Sequence, residues 1–288
     1  MANTRELRRR IRSVTNTSQI TRAMEMVSAS KMRRAQEMMF AGRPYADQVA
    51  ALISGIAASL GPQDEIHPLL ARRPTNKIGL ILITPDRGLC GALPGNVIRL
   101  AEQTIAQAKD SQISFVTVGR KGRSWMLRRS FEVVADMSGL KDRPSLLEIQ
   151  PAAQVAIAGY TDGTFDRVDL IYTDFRTTSN QQPRRRQLLP AEIPDDADQR
   201  LPDFLFEPSP YEVLSQLLPR YIEVLIYQAV LEAKASEHSA RMIAMHNATE
   251  NARELVQELT LSYNNARQAS ITNEILEISA GAETLRDR

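Results

Sequence analysis

Residues 220–280 contain neither Gly nor Pro. No other property of this chain restricts its fold as much. A helix rises 1.5 Å per residue, so about 60 residues of helix span roughly 90 Å. A compact domain of this size is only on the order of 40 Å across. Such a helix must project and needs a partner for its apolar stripe. The stripe begins with Leu214, Leu218, Tyr221, Leu225 and Ala229, thins through Ala233, Ser236 and Ala240, and recovers at Leu255, Leu259, Ile271, Ile275 and Ile278, with Gly281 as the expected stop.

Only the N-terminal segment has comparable character. Residues 1–41 also lack Gly and Pro, and a heptad-like seam runs through Leu7, Ile11, Val14, Ser18, Thr21, Ser28, Met32, Ala35 and Met39. The first break is expected at Gly42 and Pro44, with helix resuming to about Leu60. The two segments are expected to wind as an antiparallel coiled coil.

Between them the texture changes. "NKIGLILITPDRG" is a short apolar run closed by Pro and Gly, as in a buried parallel strand. "QISFVTVG", "FEVVADM" and "FDRVDLIYTDFRT" read as further strands, "RRRQLLP" as a short edge strand, and helical stretches alternate with them. The expected fold class is α/β with long helices: an antiparallel coiled coil of N- and C-terminal helices plus an inserted Rossmann-like α/β domain. The expected segments are 1–60 for the first helix, 75–190 for the α/β domain, 191–208 for an acidic, Pro-rich linker and 209–286 for the second helix.

Charge and composition narrow the partners. The net charge is only +2, yet residues 1–34 carry nine Lys or Arg against Glu6 and Glu25. Such a block suits an acidic protein surface, an anionic lipid or a nucleic acid. Nucleic-acid binding would interleave aromatics for base stacking, and the first aromatic is Phe40. The single cysteine, Cys90, excludes an intrachain disulfide and suits a reducing compartment. No apolar signal region follows the early arginines, and the longest apolar run, "IGLILIT", is far short of the roughly 20 residues of a bilayer span.

Catalytic chemistry is missing. Neither a P-loop nor a G-x-G-x-x-G occurs, and in "DRGLCGALPGN" Gly88, Gly91 and Gly95 are wrongly spaced for a dinucleotide fingerprint. His67, His238 and His246 form no metal-ligand pattern and read as solvated histidines. Cys90 reads as a small packed side chain. No catalytic, cofactor-binding or metal site is expected. A free-standing coiled-coil scaffold would keep a stronger apolar seam, and an enzyme on the α/β domain would need a phosphate loop or an acid–base pair.

Four stretches resemble a known family. "SQITRAMEMVSASKMRRAQ" and "NNARQASITNEILEISAGAETL" are similar to the two signature helices of the gamma subunit of F-type ATP synthases, and "TPDRGLCGALPGN" and "SEHSARMIAMHNATENA" to its other recognisable blocks. The resemblance implies a central rotor shaft that couples rotation of a proton-driven c-ring to ATP synthesis or hydrolysis at beta subunits. It implies partners: the alpha and beta subunits of a hexameric head, the epsilon subunit and the c-ring. By position in the matching motifs, Met24, Lys31, Arg33, Arg267, Gln268 and Thr272 are expected to contact the head, and Cys90 its lower rim. "DFLFEPSP" resembles the family's foot, so Leu205 and Phe206 are expected to face epsilon and the ring. The implied location is peripheral, on the cytoplasmic face of a bacterial plasma membrane, without direct insertion or nucleic acid.

Overall fold

A computed structural model describes residues 4–59, 67–108, 111–192 and 207–286. Helix α1 (Thr4–Ser59) leads into β1 (Lys77–Ile83), α2 (Leu93–Gln107), β2 (Gln112–Val118), α3 (Arg120–Arg128), β3 (Val133–Met137), α4 (Leu146–Thr161), β4 (Arg167–Phe175), β5 (Gln181–Leu189) and α5 (Pro210–Arg286). The sheet order is β3-β2-β1-β4-β5. All neighbours are parallel except β4 and β5. The chain forms two compact units, Met1–Val27 with Met242–Arg288, and Ser28–Arg241.

Side-chain alternation along β1 builds the second unit. Leu80 and Leu82 point to one face, where they meet Val97 and Ala101 of α2, Trp125 and Met126 of α3, and Phe115. Ile81 and Ile83 point to the other face. There they join α4 and parts of both long helices: Val49, Ile53 and Ile56 of α1, and Leu214, Leu218, Ile222, Ile226 and Val230 of α5. The long helices are therefore not separate from the α/β domain. Residues 28–56 and 210–241 form one of its layers, a packing that cuts across the segments expected from sequence.

Two helix breaks expected from sequence do not occur. Helix α1 runs through Gly42 and Pro44. Pro44 has no N–H for the Phe40 carbonyl. The preceding carbonyl, of Met39, accepts a hydrogen bond from Gln228 Nε2 at 3.2 Å. A Cβ at Gly42 would come within 2.9 Å of Gln228 Oε1, so a larger residue here would only have to displace the end of that side chain. Helix α5 likewise continues past Gly281. A glycine ends a helix by turning left-handed; inside one it costs only about 1 kcal/mol.

The edge strand β5 is longer than its apolar content suggests. One of its arginines ties it to β4: Arg185 Nη2 lies 2.7 Å from Asp169 Oδ2, while Arg167 Nε, on β4 itself, lies 2.9 Å from Asp169 Oδ1. Asp169 is fully buried, so two guanidiniums compensate its desolvation.

Candidate functional surface

In the first unit α1 and α5 run antiparallel. Arg8 donates to the Tyr263 hydroxyl at 2.6 Å, Thr21 and Thr249 share a hydrogen bond at 2.8 Å, and His246 Nδ1 lies 3.2 Å from Glu25 Oε1. Residue numbers rise on one helix as they fall on the other. Leu7, Met245, Thr249 and Ala252 are buried in this seam. Met24 is half-buried at its edge. The outer face of α1 instead presents Ile20, Met26 and Val27, each more than half exposed. The seam buries few apolar side chains, and the outer surface carries isolated ones between small and polar residues.

The register runs out of α1 near Arg267. From Arg267 to Ser279 every residue of α5 is exposed. Ile271, Ile275 and Ile278 form an i, i+4, i+7 stripe that α1 does not cover, exposed by 47%, 61% and 73%. Arg267, Gln268 and Thr272 stand on this bare stretch, and the Thr272 hydroxyl donates back to the Gln268 carbonyl at 3.0 Å.

The other expected contact residues scatter. In the second unit Lys31 Nζ pairs with Asp142 Oδ2 at 2.8 Å, so its charge is already engaged within the chain. Arg33 is exposed. Cys90 is 1% exposed, and burial pushes its thiol pKa up; the exposed apolar side chain beside it is Leu89, at φ 60°. Leu205 and Phe206 lie outside the described residues.

A buried polar cluster on α5 escapes sequence reasoning. Arg241 Nη2 donates to Glu237 Oε1 at 2.8 Å and to the Gly88 carbonyl at 3.3 Å. Lys234 Nζ reaches the Leu140 carbonyl at 3.4 Å. His238 is 2% exposed, which corrects its reading as a solvated helix-face residue. His67 is also buried, and its Nδ1 accepts the Leu69 N–H at 3.2 Å. His238 Nδ1 faces Arg241 Nη1 at 3.4 Å. An arginine can only donate, so Nδ1 is the acceptor and the imidazole proton sits on Nε2. Nε2 stands 3.4 Å from Asp142 Oδ1 but is not aligned for a hydrogen bond. Burial lowers the His238 pKa, Glu237 and Asp142 oppose that shift, and Arg241 and Lys234 add to it. Asp142 is pushed up by burial, but the Lys31 hydrogen bond and the charges of His238, Lys31 and Lys234 outweigh this and hold it low. The signal for the cluster was the i, i+4 pair Glu237–Arg241.

The helix that carries this cluster also fills the crevice at the carboxyl end of the sheet. In open parallel sheets, ligands bind at the carboxyl ends of strands where the order reverses. Here that point lies beside β1 and β4. Val230, Ala233, Lys234 and Glu237 of α5 close over Thr84, Pro85, Gly119 and Thr173, leaving a cavity of about 20 Å³. That is room for about one water, not a nucleotide. Among the described residues no group of His, Cys, Asp or Glu is arranged to hold a metal, and no helix is long and apolar enough to cross a membrane.

Comparison with known proteins agrees with this arrangement. A family profile described as ATP synthase matches residues 3–285. A protein named ATP synthase gamma chain from Herpetosiphon aurantiacus is 50% identical over 293 residues, covering 99% of each chain. One of the same name from Moorella thermoacetica is 47% identical over 286 residues, covering 99% of this chain and 100% of its own. Among solved structures, the central stalk and c-ring of the Tetrahymena thermophila mitochondrial ATP synthase contains a chain at TM-score 0.61 and 25% identity, with 80% of this chain and 99% of that one covered. A chain of the Euglena gracilis mitochondrial ATP synthase matches at TM-score 0.68 and 18% identity, over 98% and 94%, and shares the fold. Two long paired helices, a sheet whose ligand crevice is closed by one of them, and end-to-end similarity lead to one conclusion: the chain belongs to the gamma-chain family of F-type ATP synthases, the central-stalk subunit.

Proposed function

We propose that this chain is the rotating shaft of its enzyme and carries no catalytic site of its own. Proton flow through a c-ring turns it, and it forces each beta subunit of an alpha–beta head through its nucleotide states in succession. The observation that carries this reading is the uncovered stripe Ile271, Ile275 and Ile278 beyond the reach of α1. A stripe of that kind needs a partner from outside the chain, and an apolar sleeve in a head subunit ring fits it. Arg267, Gln268 and Thr272 stand on the same stretch as the polar head contacts. On α1, Met24, Lys31 and Arg33 are the head-facing candidates, with Ile20, Met26 and Val27 supplying the sliding surface. The Cys90 loop meets the head rim through Leu89. Leu205 and Phe206 belong to the foot, against epsilon and the ring. The assembly places the chain peripherally at the cytoplasmic face of a bacterial plasma membrane.

A shaft must bias three subunits in turn without gripping any. A ligand shifts an equilibrium only by its differential contact with the states. A surface of Met, Ala and Ser between isolated branched residues gives shallow differences at each angle, where a continuous Leu/Ile ridge would hold one angle fast.

The test is reconstitution with isolated alpha and beta subunits, comparing the full chain with one ending at Ala266. One shaft per three alpha and three beta subunits is expected, with ATP hydrolysis reduced several-fold by the truncation. Failure to assemble, or ATP hydrolysis by this chain alone, would refute the reading.

A further inference from the structure

A groove of about 440 Å³ lies in the second unit between α1 and the connection from β3 to α4. Ala29, Ser30, Arg33, Arg34, Glu37 and Arg143 line it. Three guanidiniums therefore meet a single carboxylate. All three arginines are exposed, and among the described residues none of them forms an ion pair. Some other arginines of this unit are ion-paired: Arg185 and Arg167 with Asp169, Arg129 with Glu102, Arg241 with Glu237.

The walls of the groove are braced. Lys31 on α1 pairs at 2.8 Å with Asp142, the residue before Arg143. His238 of α5 stands behind Asp142 at 3.4 Å. The brace fixes the residue next to Arg143 against α1, so that Arg143 lines the same groove as Arg33 and Arg34. Three guanidiniums around one carboxylate, Glu37, leave an excess of positive charge that an anion would balance. Guanidinium forks match phosphate oxygens bidentately, and several forks together match linked phosphates. The small side chains of Ala29 and Ser30 leave space for more than one phosphate. No aromatic side chain lines the groove, so nothing there would stack on a nucleobase.

We infer that this groove binds a polyphosphate anion, either pyrophosphate or the phosphate tail of a nucleotide, through Arg33, Arg34 and Arg143, without reading the base. The site does not rest on the rotor reading and exists in the free chain.

The experiment is calorimetric titration of the full-length chain at low ionic strength with pyrophosphate, ATP, GTP and inorganic phosphate. Saturable binding of one pyrophosphate per chain is expected, with ATP and GTP alike and inorganic phosphate about tenfold weaker or more. The double variant Arg34→Gln/Arg143→Gln should weaken pyrophosphate by about tenfold or more. Both side chains are exposed, so the variant should keep the circular dichroism of the parent. Arg120→Gln, an exposed arginine on α3, serves as the control and should bind as the parent does. Absence of saturable pyrophosphate binding overturns the inference. So does binding that the double variant leaves unchanged, or that Arg120→Gln weakens equally, which marks diffuse charge attraction. A clear preference between ATP and GTP overturns the claim that the base is not read.

Discussion

Arg241 Nη2 lies 2.8 Å from Glu237 Oε1, one turn away on α5, and both side chains are nearly buried, 11% and 8% exposed. The same guanidinium reaches the carbonyls of Gly88 and Arg87, so one side chain ties the helix to the loop that follows β1. Removing Arg241 would leave buried Glu237 with only the longer Lys234 Nζ contact, 3.7 Å from its Oε2. Arg241→Ala is expected to cost about 3 kcal/mol in denaturant unfolding. Arg241→Lys should recover only part of that, because an ammonium cannot span a carboxylate and two carbonyls as a fork does. A loss under about 1 kcal/mol for the alanine variant would show that the pair is merely tolerated.

His238 makes stability depend on pH. Burial lowers its folded-state pKa below the ordinary 6.5. As pH falls through 6.5 the unfolded chain takes up the proton first, so folded stability declines. The decline ends where folded His238 itself protonates, and above 6.5 the full stability is present. Burial shifts His67 the same way, so the parent slope contains both. His238→Gln should flatten the unfolding free energy between pH 5 and 7 relative to the parent. Identical slopes for the two proteins would assign the whole effect elsewhere.

Gly119 sits at φ 101°, and a Cβ there would run into the Thr84 carbonyl. Its N–H bonds the Met137 carbonyl at 3.1 Å, so the backbone cannot move aside freely. Gly119→Ala should destabilise the second unit by at least about 2 kcal/mol from strain and overlap combined. Gly95 is the contrast, because a Cβ added there would have nothing within 4 Å. Gly95→Ala is expected to be neutral or slightly stabilising within its helix. Equal unfolding midpoints for the two variants would contradict the packing at Gly119.

Ile275→Asp/Ile278→Asp separates folding from assembly. Both isoleucines are mostly exposed, so unfolding should change by no more than about 0.5 kcal/mol. ATP hydrolysis by a complex reconstituted with alpha and beta subunits should fall several-fold, since each carboxylate would be desolvated in an apolar sleeve. Full hydrolysis with the double variant would remove the stripe from the contact surface.

The long helices, the alternation of strands with helices and the lack of a phosphate loop were legible because they depend on local pattern. Missing Gly and Pro, period-2 apolar runs and motif spacing are all visible within a short window. Arg267, Gln268 and Thr272 could be placed on a helix by the same means. Their exposure could not, because it depends on where α1 ends relative to α5 once the two are in register.

What the sequence by itself determined is that two Gly- and Pro-poor termini must form long helices around an α/β unit, since no compact domain can contain a helix of that length. Tertiary structure alone decided which parts of those helices join the sheet. Val49, Ile53, Leu218 and Ile222 resemble the seam residues in type, yet they pack on β1 and β4. It also decided that His238 and Cys90 are buried and that α5 fills the ligand crevice. Burial is a property of what a second element brings to a face, and a single-chain pattern does not name that element. The same reason hid the groove at Arg33, Arg34 and Arg143, whose third wall lies more than a hundred residues along the chain from the other two.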